Sequence, residues 1–345
     1  DKYENILPEL TFEKQLFSNQ EFGNLDILSS YKLHNYDTNK SSSFLINNFN
    51  WQFREFNFPS GLVGKLSGNL KNINYETKNI DIYKKDSTNE LFGAIGYLTE
   101  LNLIKNNNNT EHLLKPKLLF RYAPGSMRKE TLGSKLTPLV AFNLDRLDEK
   151  NNFETGLSAA MGLDYNFKTN KKEFDFSIAQ VVNNKENKKM SSVSSLDEEL
   201  SDIVGSSRFR INDNFNLNYN FNLDQNYNEF NNNELGTIVN FENFKVDLSY
   251  LQEKKHIGDQ EYFKTKFELQ SKEKGLFSFE TKRNLITDSA EFYNLSYEYL
   301  NDCLRAGIVY RREFYNDSEI EPENSLLFKI TLTPFGNINS PSFNQ

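Results

Sequence analysis

The sequence holds one cysteine, three histidines and one tryptophan among 345 residues, and each scarcity removes a class of protein. A single thiol, Cys303, cannot close a bridge within the chain, so a small disulfide scaffold is excluded. His34, His112 and His256 sit in different segments without ligand spacing, so no metal centre or other cofactor is expected. Neither a Gly-x-Ser-x-Gly elbow nor a Gly-rich phosphate loop is present, so the chain is not expected to be an enzyme. No run of roughly 18 apolar residues occurs, which excludes an ordinary transmembrane helix. Basic clusters are absent and the formal charge is −8, which argues against nucleic acid as a partner. The chain opens at Asp1 with no charged-then-apolar leader, and the expectation is a processed chain or a fragment.

What is abundant is aromatic. Phe occurs 30 times and Tyr 17 times, although the hydrophobic fraction is only 37% and mean hydropathy is −0.68. A disordered polar chain is poor in aromatic residues, so this one buries them somewhere. A wide membrane barrel satisfies both facts, because only its outer face need be apolar.

The dominant period is two. Phe215, Leu217, Tyr219, Phe221 and Leu223 are separated by Asn216, Asn218, Asn220 and Asn222. Tyr293, Leu295, Tyr297 and Tyr299 interleave with Asn294, Ser296 and Glu298, and similar runs surround Trp51, Val246 and Phe267. Alternate residues of a strand face opposite ways, so each ribbon has one greasy and one polar face. Such segments number about 17. Helical spacing is confined to the short stretch 196–203. Links between the ribbons alternate between short and long, with 124–152 and 184–202 the longest and 226–228 and 285–288 modest. Short periplasmic turns and longer extracellular loops are the habit of outer-membrane barrels. The fold expected is therefore all-β, an antiparallel transmembrane β-barrel segment over 1–336, followed by a periplasmic tail at 337–345. An odd ribbon count, where bacterial barrels are even, implies that further strands precede it.

Three local features bear on function. Cys303 lies in a predicted periplasmic turn and is either an inert thiol or half of a bridge to a cysteine outside this chain. Pro8 and Pro116 fall inside ribbons, where the missing N–H removes a ladder bond and suggests a strand start or a bulge. Pro334 ends the last ribbon, where it weakens pairing with any next neighbour.

The stretch Asp302-Cys303-Leu304-Arg305-Ala306-Gly307-Ile308-Val309-Tyr310-Arg311-Arg312 resembles the LptD family, as does Asn324 to Gly336. Leu7-Pro8-Glu9-Leu10, then Pro116 with Leu118, Phe120 and Tyr122, then Asp145-Arg146 and Glu154-Thr155-Gly156-Leu157 follow in that family's order. The resemblance implies a barrel of roughly 26 strands preceded by a periplasmic jellyroll, of which this chain is the C-terminal portion. It implies a place in the outer membrane and insertion of lipopolysaccharide into the outer leaflet, through a hydrophilic lumen and a lateral seam. Its implied partners are lipopolysaccharide, the plug lipoprotein LptE, the periplasmic Lpt bridge reached through the N-terminal domain, and the β-barrel assembly machinery. Cys303 matches the family's C-terminal cysteine, bonded to one in the N-terminal region. Leu304 stands where some members carry a second cysteine. The seam would involve Leu326, Phe328, Ile330 and Leu332 facing lipid, Lys329 and Thr331 facing inward, and Pro334. Asp145 and Arg146 would belong to a loop folding over the extracellular mouth. A passive porin-like channel is the alternative reading, with a β-rich adhesin and a hydrolase built on His112 or His256 behind it.

Overall fold

A computed structural model describes residues 4–36, 39–84, 86–130, 133–255, 258–271, 275–300, 304–314, 324–332, 336–339 and 343–344. Its strands form one 21-stranded sheet. The first eight are β1 (Asn5–Asn19), β2 (Gly23–Asn35), β3 (Ser41–Gln52), β4 (Phe56–Asn57), β5 (Leu62–Lys78), β6 (Thr88–Leu101), β7 (Leu103–Asn107) and β8 (Thr110–Ala123). There follow β9 (Gly156–Thr169), β10 (Lys172–Asn183), β11 (Ile203–Ile211), β12 (Phe215–Leu223), β13 (Phe230–Phe241) and β14 (Phe244–Glu253). The series closes with β15 (Gln260–Ser271), β16 (Gly275–Asn284), β17 (Ser289–Leu300), β18 (Leu304–Glu313), β19 (Asn324–Leu332), β20 (Gly336–Asn339) and β21 (Phe343–Asn344). Strands pair antiparallel in chain order from β1 to β19, with β3 and β4 both on β5 and β6 and β7 both on β8, so the topology is a simple up-and-down meander. All the ribbons expected from the period-two pattern are present.

The short links 20–22, 58–61, 108–109, 170–171, 212–214 and 242–243 lie at one end of the sheet. The links 36–40, 79–87, 124–155, 184–202, 224–229 and 254–259 lie at the other, and each is longer than the turns flanking it. The modest loops 224–229 and 285–288 keep this parity once their strand ends are fixed.

Pro116 explains where two ribbons divide. The ladder pairs Glu100 with Lys117 and resumes at Leu103 with Leu114, so the break between β6 and β7 faces Pro116. Proline has no N–H to give at that point, and the neighbouring strand is interrupted there. Pro8 coincides with a register shift between Ile6 and Glu9, the bulge expected of an in-strand proline.

One expectation is corrected. Residues 196–203 form turns leading into β11 and no helix; a 3-10 turn at Ser192–Ser194 precedes them, closed by Ser195 in the left-handed region at φ 56. Two short pairings follow β19. Gly336–Asn339 pairs with Lys329 to Leu332, and Phe343–Asn344 pairs with Ser325 and Leu326, on the far edge of β19.

The packed core lies between the sheet and its two longest loops. Leu119, Ala160, Ala179, Val181 and Val204 from the sheet meet Met127, Leu136, Ala141, Met190 and Leu196 from 124–155 and 184–202. A second cluster joins Phe44, Ile46, Ile73, Tyr75 and Phe92 to Phe153. Both loops are therefore docked on the sheet, all on one face.

Candidate functional site

Pairing register carries the alternation of each strand sideways into two continuous faces. Tyr297 pairs with Ile308 and Ile308 with Phe328, while Leu295 pairs with Tyr310 and Tyr310 with Leu326. These residues are exposed, and the polar residues between them are half-buried on the other side. The same exposed apolar face continues through Phe277, Leu235, Met161, Phe120, Leu91, Leu70, Leu45 and Phe12 to the first strand. A monomeric soluble protein does not leave a band of this extent to water. Aromatic rings gather at the short-turn end of the strands. Trp51 donates its indole N–H to the Phe22 carbonyl at 2.8 Å and packs edge-on against Phe53, and Phe244 meets Phe267 at 4.5 Å. Rings with an apolar body and a polar handle belong at a membrane interface.

The opposite face, called inner here, carries the two apolar clusters beneath the docked loops and is polar beyond them. Asn218, Asn220 and Asn222 of β12 face Glu234 and Asn232 of β13 and Ser206 and Arg208 of β11. Opposite charges are paired across it: Lys117 with Asp164 at 2.7 Å, Lys264 with Glu280 at 2.6 Å, and Lys282 with Glu291 at 2.7 Å. Such a surface holds water and sugar hydroxyls, with many donors and acceptors and little net field.

Loop 124–155 is fixed to this face by buried ions. Arg146, 3% exposed, makes a two-pronged contact with Glu154, donating from Nε at 2.7 Å and also from Nη2, and reaches Ser158 Oγ at 2.9 Å. Arg121 projects from β8 beneath the same carboxylate, with Nη1 3.6 Å from Glu154 Oε1, and donates to the carbonyls of Leu144 and Glu154. Asp145 accepts from Lys71 Nζ of β5 at 2.5 Å, and Lys71 also donates to the Asn152 carbonyl at 3.1 Å. Burial pushes the Glu154 carboxyl up, but the Arg146 and Arg121 guanidiniums outweigh it and hold it below the usual carboxylate range. Farther along, Arg128 pairs with Glu90 and lies over the rings of Tyr75 and Tyr83 at 5.1 and 5.3 Å.

Asp145 and Arg146, singled out in the sequence, are thus anchors of the docked loop. Glu154 was noted only as part of the family-like run before β9, and Lys71 and Arg121 carried no separate signal, because a charged residue at an inward strand position reads like any other polar one. Of the expected seam residues, Leu326, Phe328 and Ile330 are exposed on the apolar face. Lys329 lies on the inner one, 3.9 Å from Glu298, which also binds Arg305 at 2.5 Å. Leu332 ends β19, and Cys303, Pro334 and His256 lie outside the described residues. His112 bonds to the Tyr165 hydroxyl at 2.9 Å and lies tilted against the Phe167 ring at 4.9 Å, and His34 pairs with Glu4. No group of three or more potential metal ligands occurs among the described residues.

Glu130 ties the two long loops together. Its carboxylate accepts from the Ser191 N–H at 2.8 Å, and its own N–H donates to the Lys189 carbonyl at 2.8 Å. Burial, with Glu149, Glu154 and Asp148 nearby, outweighs the Ser191 hydrogen bond and pushes its carboxyl up to about 7. A carboxyl raised on folding stabilises the docked state most below its ordinary value near 4.5, and loses that contribution as pH rises through about 7. Protease nicking within 124–155 is therefore expected to accelerate between pH 6 and about 8, relative to Glu130→Gln, whose nicking should not change over that range beyond the protease's own profile.

An antiparallel meander with a lipid-compatible outer face, a hydrated inner face and loops docked inside it defines a transmembrane β-sheet protein of the outer membrane. The sequence model of the LptD family, described as LPS transport system D, matches residues 5–285, and the chain belongs to that family. It is a component of lipopolysaccharide transport at the outer membrane. Comparison with curated proteins gives no match. Among solved structures, the FrpB iron transporter of Neisseria meningitidis (F5-1 variant, apoprotein form) is similar over 97% of this chain and 69% of its own. Identity is 9% and the TM-score 0.34, a likeness too distant to bear on function.

Proposed function

We propose that the chain delivers lipopolysaccharide into the outer leaflet by passing the sugar head along the polar inner face while the acyl chains leave sideways through a seam at β19. The observation that carries this reading is the two-faced sheet, apolar outside and rich in Asn, Ser and paired charges within, in a chain of the LptD family. An amphiphile with a hydrated head and several acyl chains needs both solvents at once, and a wall opening between two strands offers them. The edge of β19 supports the seam. Among the described residues, its far side pairs with two short pieces, Gly336–Asn339 opposite Lys329–Leu332 and Phe343–Asn344 opposite Ser325 and Leu326. The ladder to β18 runs unbroken from Arg305 to Arg311. The exposed Leu326, Phe328 and Ile330 line this seam; Leu332 would extend their row, and Pro334 would limit pairing beyond it.

In this reading the long loops are extracellular, the short turns and the C-terminus periplasmic, and the docked loop narrows the extracellular mouth. The inner face receives the plug lipoprotein LptE, the periplasmic Lpt bridge supplies substrate and energy, and the β-barrel assembly machinery inserts the protein. No bond is made or broken, so the chain is not an enzyme. Cys303, the chain's only thiol, would bridge to a cysteine outside these residues. Depleting the protein is expected to remove newly made lipopolysaccharide from the cell surface within a few generations while small-solute influx is unchanged. Loss of influx with normal surface lipopolysaccharide would instead identify a passive pore.

A further inference from the structure

At the long-loop end of β8, β9 and β10, a cavity of about 730 Å³ opens beside the docked loops. Its volume falls within the range of roughly 300–1,000 Å³ common to small-ligand sites. Its wall combines two chemistries. Tyr122 and Leu157 line it as cross-strand partners on the exposed apolar face, and Val182, just outside the lining and opposite Ala159, continues that margin of the greasy band. The segment 183–189 lines the cavity beside them, tied down by the Asn184 N–H donating to the Leu157 carbonyl at 3.0 Å. That segment carries Lys185, Lys188 and Lys189, all exposed. Lys185 has no partner among the described residues. Lys188 has only the exposed Glu186 at 3.6 Å, and Lys189 only the Ser126 hydroxyl at 2.6 Å. The other acid at the cavity, Glu154, is already neutralised by two arginines.

We propose that this rim cavity binds the phosphorylated head of an outer-leaflet glycolipid, with its phosphates on Lys185, Lys188 and Lys189 and its first acyl chains against Tyr122, Leu157 and Val182. The proposal rests on the membrane reading above and adds a site remote from β19. Charge complementarity selects the occupant. Cations placed just beyond the edge of an apolar wall meet the phosphate level of a bilayer, where each contributes attraction toward anionic lipid. Zwitterionic lipid offers no net charge to hold, and a soluble anion would have no use for the exposed rings below. The site would keep a delivered lipid packed against the outer wall and seal the docked loops from the membrane.

The test is equilibrium binding of fluorescent bisphosphorylated lipid A to the full-length protein with its plug lipoprotein, in nanodiscs of zwitterionic lipid. Changing all three lysines to Gln is expected to weaken binding by roughly tenfold or more. The triple Arg variant should retain it. Dephosphorylated lipid A should bind the native protein as weakly as the Gln variant binds the intact lipid, and excess inorganic phosphate should not displace it. Unchanged binding by the Gln variant overturns the proposal, as does full competition by inorganic phosphate, which would mark a simple anion site. Surface lipopolysaccharide measured on depletion separates the two ideas: its loss alongside normal lipid binding by the Gln variant rejects only the rim site.

Discussion

Replacing Glu154 by Ala is expected to destabilise the docked loop by on the order of 3–5 kcal/mol, the cost of stranding buried charge. The side chains of Arg146 and Arg121 are 0% and 1% exposed, so neither guanidinium can turn to water once its carboxylate is gone. Each already has one Nη1 without a hydrogen-bond acceptor, which leaves no reserve contact to take over. The strands do not depend on this network, because their ladders are satisfied along their own length. The expected phenotype is therefore local: protease entry within 124–155 rises by several hundredfold or more, while strand content and resistance of the sheet to detergent persist. Glu154→Gln should fall between, keeping acceptors for Arg146 but not the charge. Limited proteolysis of the three proteins in membranes makes the comparison. Equal nicking rates would show that the loop is held by its apolar contacts alone.

Strand positions were legible because a membrane sheet writes its two solvents into alternate residues. The run from Phe215 to Leu223 admits no other period, and loop lengths told which ends lie together. Asn102 broke a ribbon that the alternation alone would have kept whole, although Pro116, noted in the sequence, is the residue opposite the gap. The buried anchor was only half visible. Asp145 and Arg146 drew attention by their order along the chain, but Lys71 meets Asp145 across 74 positions, and no local pattern reports a contact that distant. The stretch 196–203 misled because Leu196 and Leu200 suggest a helical face. Ser194, Ser195 and Ser201 hydrogen-bond to nearby backbone and favour turns. The strands after Gly336 were missed because Asn337, Asn339, Ser340 and Pro341 lack alternation; the open edge of β19 recruits them.

The central claim is that one face of this sheet lies in hydrocarbon and the other in water. It is tested most directly by placing Arg at single positions of neighbouring strands in the full-length protein and measuring unfolding free energy in lipid bilayers. Leu295, Ile308 and Phe328 belong to the outer face near mid-strand, and Ser278 and Ser296 are paired on the inner one. The expected result is a saw-tooth: a loss of about 2–4 kcal/mol at each outer position and little change at either serine. Equal costs on the two faces, or greater costs at the serines, would contradict a membrane-spanning sheet and with it the route proposed for lipopolysaccharide.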